Sequence, residues 1–459
     1  MTLGLPEAIA RYHELLTDEI AAESQAMLDE EQRRRGVYFG PRPLCTALRP
    51  RFLTGDQYRY VRERCAVLLR AMRRLHQAAL ASEPLRRQFR LTEWEEEFVA
   101  LDPGIPDPSP TSRFDSFYFP DTGGLWLTEY NAETPTGAAY GDTLADVFLA
   151  LPVMRQFLRS VDVRPVPGRH GILHALLASY FHWKTTRTAP RIAILDWREV
   201  PTYSEFEIIR DTFVAAGIPT TICDPRDLDY RPSKELFANG ERIDLVYRRV
   251  LINDILARES DCRALLDAYA DRAVCVANTF RCKIPHKKAF FAVLTEPRHA
   301  ALFNSDEQAL IRRHIPWTVL VEERRISRDG ESFDLVPYLR KQRDTLVIKP
   351  NDEYGGTGVT LGWETDERAW DDAIAHALRE RDRGWVAQER IAVRRELFPI
   401  CEGGGVVMRD MLVDLAPYVF RGKFAGFLTR LSATGLANVT SGGGQVPAFV
   451  VTRKAEVSR

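Results

Sequence analysis

Lys349-Pro-Asn-Asp-Glu-Tyr-Gly-Gly-Thr-Gly-Val359 decides how this chain is read. A lysine closes the apolar run Thr345 to Ile348, a glycine loop follows, and β-type residues resume over Val359-Thr-Leu-Gly-Trp363. Phosphate loops that open a helix put their lysine after the glycines. Dinucleotide fingerprints also pass from strand into helix. The order here instead predicts a hairpin. Its tip, Gly355, Gly356, Thr357 and Gly358, would fold over phosphates that Lys349 holds from below. Glycines suit such a tip because backbone N–H groups must approach phosphate oxygens with dihedrals a side chain forbids. An ordinary hairpin fits the segment equally well.

Lysine usage points to the same place. Of 63 basic residues only nine are lysine, at 184, 234, 283, 287, 288, 341, 349, 423 and 454. Arginine therefore fills most ordinary surface roles. Lys283, Lys287, Lys288 and Lys349 are candidates for a task that suits a compact ammonium, such as gripping a phosphate oxygen.

Far upstream lie Arg113-Phe-Asp115 and Glu129-Tyr-Asn131-Ala-Glu-Thr-Pro-Thr136. Two β-patterned runs, 113–119 and 125–131, flank Pro120-Asp-Thr-Gly-Gly124, a hairpin loop. Alternation puts Arg113, Asp115, Phe117 and Phe119 on one face, and Leu125, Leu127, Glu129 and Asn131 on one face of the partner. Pairing Phe119 with Leu125 sets Asp115 against Glu129 and Arg113 against Asn131. Opposed carboxylates destabilise a sheet. A hard divalent cation reverses that sign, and Mg²⁺ favours a few carboxylate or amide oxygens plus substrate phosphates. The alternative is that Arg113 neutralises both acids on a solvated face.

These residues resemble glutathionylspermidine synthetases, in which a Glu-x-Asn pair follows an Arg-Phe-Asp strand; the Glu-x-Asn core also recurs in eukaryotic glutathione synthetase. Lys349-Pro350 with Glu353 and Gly355-Gly356 is similar to the glycine hairpin of the same enzymes. Val386-Ala-Gln388-Glu389-Arg-Ile391 resembles their adenine-side strand. Asn438-Val-Thr-Ser-Gly-Gly-Gly-Gln445 is similar to the closing motif of bacterial circularly permuted ATP-grasp proteins. In ordinary ATP-grasp enzymes the lysine and glycine hairpin come first. Here the Glu-x-Asn strand precedes Lys349 by more than two hundred residues, the mark of the permuted branch. The inversion implies that the first and last thirds of the chain pack together, with the middle inserted.

The resemblance implies a circularly permuted ATP-grasp fold, α+β with an α/β insertion. Residues 1–160 would hold N-terminal helices and the metal-binding part. A Rossmann-like pre-ATP-grasp substrate domain would span 161–280, and 281–459 would carry the lysine hairpin and the remaining ATP-grasp part. Pattern agrees in outline. Residues 7–35 and 55–82 have helical spacing, Pro103 to Pro110 is a connector, and Gly141 to Leu158 reads as a helix broken at Pro152. Strands at 191–196, 219–223 and 244–247 with a helix at 204–216 read as a parallel βαβ unit.

The implied chemistry is carboxylate activation by ATP with Mg²⁺, giving an acyl-phosphate that an amine attacks. The resemblance assigns Asp115, Glu129, Asn131 and Glu353 to the metal. Lys288, Lys349, Gln388, Glu389 and the glycine tip go to the nucleotide, and Arg113, Lys349 and Arg430 to catalysis. The partners would be a small-molecule or peptide carboxylate and an amine. A kinase on the same fold, or a silent ATP-binding protein, are the rival classes.

Net charge of −1 and pI near 6.8 give no support for nucleic acid or membrane surfaces. Seven cysteines without CxxC spacing, and no signal-like start, suggest reduced thiols and a cytoplasmic enzyme. No apolar run reaches membrane-spanning length. His170 and His174, four apart, read as ordinary helix residues. Glu93-Trp-Glu-Glu-Glu97 reads as a solvated helix face. Tyr247-Arg248-Arg249 reads either as a structural ion pair or as a substrate-carboxylate site.

Overall fold

The computed structural model describes residues 4–328, 330–433 and 443–453. Of the closing motif, residues 438–442 lie outside the described residues.

Strand pairing ties the two ends of the chain together. Thr111–Phe119 and Gly124–Asn131 form an antiparallel hairpin, and the first strand pairs on its other edge with Ala416–Phe420, followed by Lys423–Leu428. Arg113 sits opposite Tyr418, and Thr111 opposite Phe420. A three-stranded sheet repeats the device, with Ala448–Arg453 parallel to Arg51–Thr54 and antiparallel to Val161–Pro165. First and last thirds therefore share sheets.

The hairpin register differs from expectation in an instructive way. Phe119 pairs with Gly124, not Leu125, so the connecting loop is one residue shorter. A bulge then inserts an extra residue, Thr128, and restores Asp115 opposite Glu129 and Arg113 opposite Asn131. Thr128 Oγ1 donates to the Asp115 carbonyl at 3.1 Å. The bulge also switches faces. Leu125, Leu127 and Tyr130 join the core with Phe114 and Tyr118, while Glu129 shares a cavity with Asp115 and Phe117. Unbroken alternation had put Glu129 with the leucines. A bulge leaves no such signature in the pattern.

The glycine hairpin is present. Leu346–Pro350 pairs antiparallel with Thr360–Leu361 on one side and Trp385–Glu389 on the other, with Thr318–Leu320 beyond. The second strand is shorter than the expected 359–363. At Gly362 the chain turns into a 3₁₀ segment pressed against Arg343, whose carbonyl oxygen would lie 1.9 Å from any added Cβ. Only glycine fits there.

The middle of the chain holds a parallel sheet in the order Cys275–Ala277, Leu245–Arg248, Ile192–Leu195, Thr220–Cys223. The helices Arg169–Trp183 and Tyr203–Ala215 contribute Leu176, Phe206 and Ile209 to the cluster on it. A small antiparallel meander, Leu228–Arg231, Glu235–Ala238 and Glu241–Ile243, intervenes before Leu245, where no strands had been read. The expected 7–35 helix divides into Leu5–Glu14 and Asp18–Arg35, because the Thr17 side chain caps the second. The helix Ala138–Ala150 ends before Pro152, which starts Pro152–Phe157. The described residues contain no helix long and apolar enough to cross a membrane. The seven cysteines are free thiols.

One reading needs correction. Glu95 is no solvated residue; it is 3% exposed, completes a capping box with Thr92, and accepts from Lys287 Nζ at 2.9 Å. It belongs to a buried network. Lys283 Nζ lies 2.9 Å from Asp352, 3.3 Å from Glu133 and 3.7 Å from Glu95, and Lys287 Nζ lies 2.7 Å from Asp352. Lys283 and Lys287 are therefore occupied as structural cations. Burial alone would raise the Glu133 carboxyl, but Lys283, His286 and Arg248 pull it down to about 2. Removing one partner from such a network leaves buried charge uncompensated. Lys283→Met should lower unfolding free energy by about 3–5 kcal/mol in urea titrations. Because the Glu133 and Asp352 carboxyls are depressed, their contribution is complete above about pH 4.5 and lost as pH falls toward 2. A variant that unfolds in acid at the same pH as the parent would contradict this.

Candidate active site

The two sequence constellations meet in one cleft. Asp115 and Glu129 from the upstream hairpin line a cavity with Lys288, Lys349, Glu353, Gly355, Gly356, Thr357, Gln388, Glu389 and Arg430. A second cavity opens on the side of the parallel sheet; Arg113 and Asn131 line it. The two chambers share Asp115, Glu129, Tyr354, Gly355 and Arg430. Gly358 completes the tip and packs on Pro350.

The glycine tip has the backbone that the sequence requires. Gly355, Gly356 and Gly358 have φ of 66°, 85° and 71°, left-handed values that a Cβ disfavours. Below it, Lys349 Nζ donates to Gln388 Oε1 at 2.7 Å. Gln388 is itself fixed by donating to Thr318 Oγ1 at 3.0 Å and the Thr128 carbonyl at 3.3 Å. Loss of water around the Lys349 ammonium pushes its pKa down to about 8, with Glu129 opposing and Lys288 adding to the fall. Lys288 Nζ donates to the Glu353 carbonyl at 2.6 Å and stands 3.6 Å from Glu129. The Glu353 side chain is exposed. Glu389, further along the strand, accepts from Arg328 at 2.5 Å.

At the junction of the chambers sits a buried charge relay between sheets. Arg113 donates to both Asp115 oxygens, at 2.5 and 3.0 Å, and Arg430 donates to Asp115 Oδ2 at 3.0 Å. Burial would raise the Asp115 carboxyl, but the two guanidinia hold it well below the usual carboxylate range. Asp414, two percent exposed, anchors Arg430 by 2.6 and 2.5 Å bonds to its N–H and Nε. Burial pushes the Asp414 carboxyl up to about 6 despite Arg430. In contrast, Asn131 Oδ1 is buried with no hydrogen-bond partner among the described residues. Buried polar atoms are normally satisfied, so this acceptor lacks something.

Several contributors escaped the sequence reading. Asn278, at the end of the parallel sheet, donates to the carbonyls of Thr111, Ala132 and Glu133 at 2.7, 3.1 and 2.8 Å, clamping both hairpin strands. Glu133 and Asp352 lay inside the two quoted motifs, but nothing in their spacing announced that Lys283 would join them. Asp414 carried no signal. Of Tyr247-Arg248-Arg249, Arg248 is structural, fully buried and bonded to the Val250 and Asn278 carbonyls at 2.6 and 3.1 Å. Arg249 reaches the second cavity and holds Thr136 Oγ1 at 2.6 Å. His170 and His174 are exposed on their helix.

A cleft of paired ammonium groups, a left-handed glycine tip and an unsatisfied amide oxygen defines a class. The chain belongs to the circularly permuted ATP-grasp type 2 family, whose model matches residues 119–439. Among curated proteins it is 23% identical over 345 residues to one from Frankia casuarinae named "Putative glutamate--cysteine ligase 2-2", covering 72% of this chain. The chain spans only 37% of that relative's length. Among solved structures it is similar in fold to a glutathione synthetase-like effector from Globodera pallida in its apo form. That match has a TM-score of 0.60 at 12% identity and covers 95% of this chain and 98% of that one.

The Lys349 environment is directly testable. Its side-chain NMR signal, assigned by its loss in Lys349→Arg, should titrate near pH 8 in the free protein. Titration at the ordinary lysine value, about 10.4, would show that the ammonium stays hydrated.

Proposed function

We propose that this chain is an ATP-dependent carboxylate–amine ligase that forms an amide through an acyl-phosphate intermediate. The observation that carries the reading is the connection of two chambers at Glu129, Asp115 and Arg430. One chamber has the features of a nucleotide site and the other offers room for the groups to be joined.

In this reading Lys288 and Lys349 neutralise phosphate oxygens, the glycine tip covers them with backbone N–H groups, and Gln388 and Glu389 border the base. Glu129 and Asn131 would hold Mg²⁺. The Asn131 Oδ1, without a partner among the described residues, fits a hard cation, and Glu353 would add a further oxygen. The described residues contain no group of three or more His, Cys, Asp or Glu side chains suited to a metal, so phosphate oxygens would complete the set. When bound, Mg²⁺ offsets charge on the β- and γ-phosphates. Asp115, with both oxygens engaged by guanidinia, serves to position Arg113 and Arg430 rather than to ligate. Those guanidinia stabilise charge as the phosphoryl group moves to the carboxylate. The tip excludes water, which matters because acyl-phosphates hydrolyse.

The domain reading follows. Residues 1–160 and 281–459 together build the ATP-grasp part, and the parallel sheet within 161–280 is the Rossmann-like unit that holds substrate. The curated relative's name makes L-glutamate with L-cysteine the first pair to try, ahead of glutathione with spermidine. A kinase would use the second chamber for its acceptor, so the product distinguishes it from a ligase.

An ADP-release screen of carboxylate and amine pairs with Mg²⁺ tests this. One pair should give ADP and a product lighter by one water than the summed substrates. Phosphorylated product without amide would establish the kinase instead. Lys349→Ala and Glu129→Ala should each lower turnover by at least about a hundredfold while circular dichroism and melting stay near wild type. ADP release unchanged in either variant would break the assignment.

A further inference from the structure

The parallel sheet reverses its strand order beside Ile192–Leu195. The chain leaves this strand for Thr220–Cys223 on one side and later returns to Leu245–Arg248 on the other. Such a reversal opens a crevice at the carboxyl ends of the two diverging strands, where ligands of open α/β sheets bind. The residues immediately past those ends are Asp196 and Arg249, locked together by Arg249 N–H donating to the Leu195 carbonyl at 2.8 Å. Both line the second cavity, as does Asp254 on the short helix Ile252–Ala257.

Asp196 is 9% exposed, yet the only hydrogen bond to its carboxylate among the described residues is from its neighbour Trp197 N–H to Oδ1, at 2.9 Å. No side-chain cation among the described residues pairs with it. Arg249 does not pair with it; its Nη groups go to the Pro135 carbonyl, Tyr247 OH and Thr136 Oγ1. A buried carboxylate with one uncommitted oxygen, facing a cavity and beside a second acid, calls for a cationic partner. The same cavity is also lined by Arg113 and Arg430, which suit an anion.

We infer that Asp196, with Asp254 beside it, docks the ammonium group of the amine substrate and accepts a proton from it as the amide forms. This rests on the ligase reading. The R–NH₃⁺ group gives one proton to Asp196. The freed nitrogen pair attacks the acyl-phosphate carbonyl, forming C–N. The C–O bond to phosphate breaks, and the second proton lost from nitrogen leaves with the phosphate. Burial pushes the Asp196 carboxyl up to about 7, with Arg249, the Trp197 N–H and Arg248 pulling down and Asp254 adding to the rise. Such a group exchanges protons near neutrality. Other charged groups facing the cavity are Arg113, Asp115, Glu129, His286 and Arg430.

The test uses the full chain saturated with Mg²⁺ and a non-hydrolysable ATP analogue, and two probes: L-alaninamide, which carries an ammonium, and N-acetyl-L-alaninamide, which does not. Calorimetry should detect alaninamide binding and none of the acetylated probe. Asp196→Asn should weaken alaninamide at least about tenfold, Asp254→Asn less, with analogue affinity unchanged in both. The second variant keeps the test decisive if the first fails to fold. Equal binding of alaninamide to wild type and variants, or equal binding of both probes, would overturn the inference. So would a wild type that binds the analogue normally and no alaninamide. Failure to bind the analogue itself would remove the ligase reading and this inference with it.

Discussion

Lys283 holds the permuted design together. Its ammonium, one percent exposed, sits among Glu133 at the exit of the upstream hairpin, Asp352 at the root of the glycine hairpin and Glu95 on an N-terminal helix, and it donates to Asn253 Oδ1 at 3.0 Å. In this chain the two halves of the cleft are far apart in sequence, so no short covalent link sets their distance. A buried cation reaching both does. Its net worth is small against its desolvation, but misplacing any partner strands a charge in the interior. Geometry is thereby specified more strongly than stability.

The same economy of charge runs outward into the cleft. Lys283 and Lys287 are paired inside; Lys288 and Lys349 face the cavity, bonded to the Glu353 carbonyl and the Gln388 amide oxygen, with the partly exposed Glu129 3.6 Å from Lys288. Arg113 and Arg430 converge on Asp115, and Asp196 and Asp254 line the second cavity with them.

Much of this was legible in the residues. Lysine before glycines read as a hairpin because β-type residues follow it, and Pro152 broke its helix because proline lacks an N–H. The inverted order of motifs implied shared sheets between the chain's ends, and Tyr418 beside Arg113 is such a pairing. Other features were hidden for physical reasons. The Thr128 bulge moves Glu129 to the cavity face without any trace in hydrophobic pattern. Glu95 looked solvated because its neighbours Glu93 and Glu97 are; its burial depends on lysines nearly two hundred residues away. Asp196 gains its meaning only from sheet topology, and Asp414 only from its bonds to Arg430.

The central claim is that the upstream Glu-x-Asn strand and the downstream glycine hairpin close on one nucleotide. A crystal structure with Mg²⁺ and a non-hydrolysable ATP analogue measures this directly. The account predicts Mg²⁺ at about 2.0–2.1 Å from Glu129 and Asn131 oxygens, with Lys349 and the 355–358 backbone on the phosphates of the same molecule. A nucleotide bound by the glycine hairpin alone, with Glu129 and Asn131 untouched, would contradict it.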